Sequence, residues 1–109
     1  FKIYLVSTFL IIIMLIKFES PACGSFMTTE STAKMLINLI GKSDHLEGII
    51  CSRDISNAIR LLKYVIDDKN GKINYEPVNE VAAKARIFPF LQMLIKAEQK
   101  DEFVMWKLI

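Results

Sequence analysis

Residues 54–76 read DISNAIRLLKYVIDDKNGKINYE. Two readings of this stretch lead to two different proteins. In the first, Ile55, Ala58, Ile59, Leu62, Val65 and Ile66 recur at intervals of three and four and form one stripe on a helix. Asp54 is then the N-cap, its carboxylate accepting a bond from an exposed backbone N–H. Gly71 takes the left-handed position just past the helix end, with Asn70 before it. In the second reading, Asn70-Gly71 is a hairpin turn. That turn would set Asp68 across from Ile73 on one face, which is poor strand patterning. The periodicity decides for a helix and its stop.

The same stretch carries part of a calcium loop. With Gly71 at the sixth position of an EF-hand, Asn70 falls at the fifth, Asp68 at the third and Ile73 at the apolar eighth. Ile66 then stands at the first position and Pro77 at the twelfth, where oxygen ligands are required, and Glu76 comes one residue early. Two key ligands are missing, so no metal site is expected.

The flanking segments also read as helices. TTESTAKMLINLIGK, residues 28–42, has Thr28 as a cap, Glu30 near the positive N-terminal end and Gly41 as a stop. Its apolar stripe is Met35, Leu36, Leu39 and Ile40. SDHLEGIICSR, residues 43–53, offers Ser43 or Asp44 as a cap, with Glu47 three residues after Asp44. It predicts a short helix or the first turns of the next one, weakened by Gly48. After the connection KINYEPVNE, a last helix is predicted from Asn79 through EVAAKARIFPFLQMLIKAEQKDEF. Val78, Val81, Ala82, Ala85, Phe88, Leu91 or Gln92, and Leu94 or Ile95 supply its stripe, and Pro89 predicts a kink or break near Ile87–Phe88. Phe103, Trp106, Leu108 and Ile109 form an apolar tail that either folds back or serves as a docking surface. Strand patterning is confined to KINYE and FVMWKLI. The expectation is an all-α fold, a small bundle of three to five helices.

The chain begins FKIYLVSTFLIIIMLIKFESPACGS. Lys2 is a basic start, Ile3–Ile16 is an apolar run broken only by Ser7 and Thr8, and Ser20 and Ala22 are small residues ahead of Cys23. This is the layout of a secretory signal peptide over residues 1–22, followed by a domain over 23–109 and a secreted, extracellular location. A retained segment would anchor the protein to a membrane instead. Of 14 basic and 12 acidic residues in all, Lys2, Lys17 and Glu19 fall before the cut, so the remainder is nearly balanced. That balance gives no electrostatic footprint for nucleic acid.

Both cysteines, Cys23 and Cys51, follow the predicted cut. In an oxidising compartment they are expected to pair. Closing a loop of that length would contribute roughly 3–4 kcal/mol in the chain-entropy account. A bridge between two copies is the alternative, and redox chemistry lacks a CxxC motif. The single histidine, His45, reads as a surface residue. With no HExxH, GxSxG, phosphate loop or zinc-spaced cluster, no catalytic residue and no cofactor is expected. Asp67 and Asp68 point in different directions on a helix, and Lys96, Glu98, Lys100, Asp101 and Glu102 read as a solvated face. Met35, Met93, Met105, Phe88, Phe90 and Trp106 could enclose a small hydrophobic ligand or simply pack as core.

In overall plan the chain resembles the small seminal-fluid proteins made in the male accessory glands of fruit flies. The resemblance rests on FKIYLVSTFLIIIMLIKFESPA, the pair Cys23 and Cys51, and the amphipathic DISNAIRLLKYVIDD. It implies a role in sperm handling or post-mating response, and it carries over no functional residue. The functional expectation is a small secreted non-enzymatic protein that acts by binding a receptor or other protein partner. The alternatives are a carrier of a small hydrophobic ligand and a membrane-anchored or membrane-active protein.

Overall fold

The computed structural model describes residues 14–43, 45–67 and 80–109, with the side chains of residues 80 and 81 left aside. The fold is mixed, not all-α. Strands β1 (Leu15–Ser20) and β2 (Gly24–Thr29) form a hairpin, followed by helix α1 (Glu30–Leu39). Then come the short strand β3 (Gly48–Ile50), helix α2 (Ser52–Asp67), helix α3 (Glu80–Gln99) and strand β4 (Val104–Leu108). The four strands make one antiparallel sheet in the order β2-β1-β4-β3.

The all-α expectation fails at the four strands, and three of them show why. LIKFES alternates with period two. Ile16, Phe18 and Ser20 are buried while Leu15, Lys17 and Glu19 face the other way. Its first residues continue the apolar run of residues 3–16, and that run conceals the alternation. SDHLEGIICSR does not begin a helix at Ser43; Gly48–Ile50 pair with β4 instead. FVMWKLI, one of the two stretches with strand patterning, is an inner strand and not a tail, since β4 pairs with both β1 and β3. KINYE and most of the calcium-like stretch lie outside the described residues.

The helices cover the face of the sheet that carries Ile16, Phe18, Val104 and Trp106. The α2 stripe falls as its spacing predicts: Ile55, Ala58, Ile59, Leu62 and Val65 are buried and Ile66 packs against them. In α1, Leu36 and Ile40 are buried with Ala33 and Ile37, and Met35 and Leu39 pack at the margin. Thr29, one residue after the predicted cap, accepts from the Thr32 N–H. In α3 the expected stripe is only partly the inner face: Leu91 and Leu94 are buried as expected, but the earlier positions Ala82, Ala85 and Phe88 are not. Ala83, Ile87, Phe90, Leu94 and Ala97 face the core, whereas Ala85 and Phe88 are exposed. This helix is apolar nearly all the way round, so spacing alone does not select the inner face. It also runs through Pro89 without ending. Pro89 and Ala85 are both exposed. The carbonyl that loses its partner is therefore beside water, which can satisfy it.

Phe18 is the hub of the core. Its ring lies 5.1 Å from Phe26 in a stacked pair, 5.0 Å from Phe90 and 6.0 Å from Trp106. Residues 15–22, within the predicted signal peptide, thus supply an inner strand and buried residues from Ile16 to Ala22. The Ser20 hydroxyl donates to the Phe103 carbonyl at 2.7 Å and accepts from the Ala22 N–H at 3.2 Å. It joins the hairpin to the chain entering β4.

Both α1 and α3 end in the same hydrogen-bonded turn. After α1, Gly41 N–H donates to Asn38 C=O at 3.0 Å and Lys42 N–H to Ile37 C=O at 3.1 Å, with Gly41 at φ 83°. After α3, Asp101 N–H donates to Glu98 C=O at 3.2 Å and Glu102 N–H to Ala97 C=O at 2.8 Å. The left-handed position there is Asp101, at φ 56°. These are Schellman motifs, and glycine suits that position best. An acidic side chain also opposes the negative helix end. Asp101→Gly is therefore expected to raise stability by about 0.5–1 kcal/mol, read as a higher urea midpoint with unchanged slope.

Candidate binding edge at β2

The sheet has two edges, and they differ. β3 is three residues long and exposes the outward backbone groups of Ile49 alone. β2 is six residues long, and its sequence GSFMTT contains no charge and no proline. Edge strands are commonly protected by charge, proline or brevity, because their unpaired groups are a template for another strand.

The register shows which groups are free. Glu30 N–H donates to Met14 C=O at 3.0 Å, one pair beyond Leu15↔Thr29. Bonded pairs alternate in an antiparallel ladder, so they recur at Ile16↔Thr28, Phe18↔Phe26 and Ser20↔Gly24. On the other side of β1, Ile109 N–H donates to Leu15 C=O at 3.0 Å, which is consistent with the opposite parity there. Ser25 and Met27 therefore aim their N–H and C=O away from β1. Among the described residues these four groups have no partner. The Met27 side chain is 61% exposed.

Helix α3 runs beside this edge. A depression of about 170 Å³ lies between Cys23, Ser25 and Phe26 of the hairpin and Pro89, Gln92 and Lys96 of α3. A second, of about 420 Å³, brings Thr28 and Thr29 against Arg86. Lys96 is thus at the Gly24 end of β2 and Arg86 at the Thr29 end, both exposed. The result is a shelf with a hydrogen-bonding rim on one side and a helix flank on the other.

Residues 14–106 match a family of proteins described as a domain of unknown function, DUF1840. The chain belongs to the DUF1840 family. The match begins just before β1 and ends within β4, so it takes in the described elements as far as Trp106. No curated protein and no solved structure matches the chain. The family match says nothing for or against the seminal-fluid resemblance.

In this DUF1840 domain Cys23 and Cys51 are free thiols. Cys23 follows β1 and Cys51 follows β3, with β4 between these strands. Two strand spacings amount to about 9.5 Å, beyond the roughly 4.4–6.8 Å between Cα atoms that a bridge requires. A bridge would need the β1–β2 turn to reach across β4. The residues considered for a ligand cavity do not converge. Phe90, Met93 and Trp106 are core, Phe88 is exposed, and Met35 and Met105 are half-buried in different elements. His45 is exposed, and its carbonyl accepts from the Trp106 indole N–H at 2.9 Å. In the charged run after Ile95, Glu98 accepts from Ser56 at 2.5 Å and Lys100 donates to the Ala22 carbonyl at 3.2 Å. Among the described residues no group of three His, Cys, Asp or Glu is placed to hold a metal ion. No helix among them is long and apolar enough to cross a membrane. No sequence expectation falls on the β2 edge; its one local signal is the uncharged GSFMTT directly before a capped helix.

Proposed function

We propose that this chain is a non-enzymatic protein-binding domain that takes an extended segment of a partner as a fifth strand on β2. The observation that supports it is the pair of outward-facing, unpartnered residues Ser25 and Met27 on an uncharged edge. Strand addition supplies main-chain hydrogen bonds for affinity and uses alternate side chains for selectivity. The neighbouring α3 flank gives those side chains something to touch.

The parity of the ladder provides the test. Proline at residue 27 removes only an outward N–H, which an edge strand tolerates. Met27→Pro is expected to reduce stability by about 1 kcal/mol and to abolish capture of peptides selected from a random decapeptide library on the unaltered chain. If the variant melts cooperatively and still binds those peptides with unchanged affinity, strand addition at β2 is wrong.

A further inference from the structure

The shelf beside β2 has a charge pattern that bears on what would lie on it. Arg86 and Lys96 are ten residues apart on α3, about 15 Å along the helix axis. Between them on the same flank is Pro89. Arg86, Pro89 and Lys96 lie within less than a quarter turn of one another at 100° per residue. β2 contributes no charge of its own, so the two cations dominate the shelf.

On the reading that β2 accepts a strand, we propose that the segment it takes carries two acidic side chains four residues apart, with a small or apolar residue midway. Strand residues rise about 3.4 Å each, so four of them cover about 14 Å, which matches the span from Lys96 to Arg86. Residues i, i+2 and i+4 of a strand share one face. An added strand bonds to Ser25 and Met27. Its residues opposite Gly24, Phe26 and Thr28 then share the face on which Phe26 and Thr28 lie, the face that α3 covers. The residue opposite Gly24 meets Lys96, the one opposite Phe26 meets Pro89, and the one opposite Thr28 meets Arg86. This agrees with the depressions, where Lys96 and Pro89 accompany Ser25 and Phe26, and Arg86 accompanies Thr28. A carboxylate at each end faces a cation, and an apolar or small side chain faces the proline ring. The partner is thus an acidic, extended protein segment.

The experiment selects peptides from a random decapeptide library on the full chain and measures the affinity of the best of them. Amide exchange at Ser25 and Met27 is followed with and without that peptide. The expected result is enrichment of Asp or Glu at i and i+4, with slowed exchange at both amides. Arg86→Glu and Lys96→Glu should each weaken binding about five- to tenfold at low salt, and less at high salt. Lysine in place of the matching peptide acid should recover affinity for the reversed variant. Peptides that protect Ser25 and Met27 but show no acidic preference would overturn the charge assignment and leave strand addition standing. Binding without protection of those amides, or no enrichment at all, would overturn both. Protection without peptide, together with a doubled mass in solution, would mean that a second copy occupies the edge, and would overturn the acidic-partner proposal.

Discussion

A chain shortened to begin at Cys23 is expected not to fold. The shortening removes β1, which lies between β2 and β4 and hydrogen-bonds to both. It removes Ile16 and Phe18, each at most 1% exposed, and with Phe18 the ring that Phe26, Phe90 and Trp106 all contact. Loss of a single buried phenylalanine side chain ordinarily costs about 3–5 kcal/mol. That is already a large part of the roughly 5–15 kcal/mol that keeps a domain folded. Loss of the strand also exposes two new edges. The shortened chain should show no cooperative urea transition, no near-ultraviolet signal from Trp106 and rapid exchange throughout. The full chain should show the cooperative transition, the Trp106 signal and protection from exchange. A cooperative transition in the chain beginning at Cys23 would show that the hairpin is dispensable. The outcome also bears on export, since cleavage before Cys23 and this sheet cannot coexist in one molecule.

Gly48→Ala is expected to destabilise the domain by about 1–3 kcal/mol, the usual range for overpacking. The backbone of Gly48 is opposite Trp106 in the β3–β4 ladder. A Cβ there would fall on Cζ2 of the indole and 2.7 Å from Cη2. Such a contact is inexpensive only if the neighbour can move. Trp106 is 3% exposed, its ring is 6.0 Å from Phe18, and its N–H is held by the His45 carbonyl at 2.9 Å. Displacing it costs packing and a hydrogen bond together. The replacement should lower the urea midpoint and shift the Trp106 emission maximum towards that of exposed indole. A variant with unchanged midpoint and emission would show that the indole slides aside freely.

The residues that were legible from sequence are those whose environment is set locally. Ile55, Ala58, Ile59, Leu62 and Val65 repeat with helical spacing and are buried, because an amphipathic helix needs only one covered face. Gly41 ends α1 because a left-handed position favours glycine wherever it occurs. The residues that misled depend on distant partners. Gly48 reads as a weak helical residue until Trp106, far along the chain, is laid across it. Phe88 and Phe90 are alike in sequence, and only the packing of α3 on the sheet sends one outward and the other in. Ile16 and Phe18 alternate as strand residues should, but a continuous run of apolar neighbours masks the alternation. The β2 edge is hidden in the sequence for a related reason: a free edge exists only relative to the strands beside it.

Strands β1 and β4 are neighbours in the middle of the sheet, yet almost the whole described chain separates them. Joining them closes a loop that spans every other element, which makes early pairing entropically unfavourable. A ribosome synthesises the β1–β2 hairpin and the three described helices before it makes residues 104–108. During that interval the Phe18 face of β1 has no β4 against which to pack. The sheet therefore forms after translation has passed Leu108. Until then the nascent chain carries an exposed apolar strand of the kind that molecular chaperones cover.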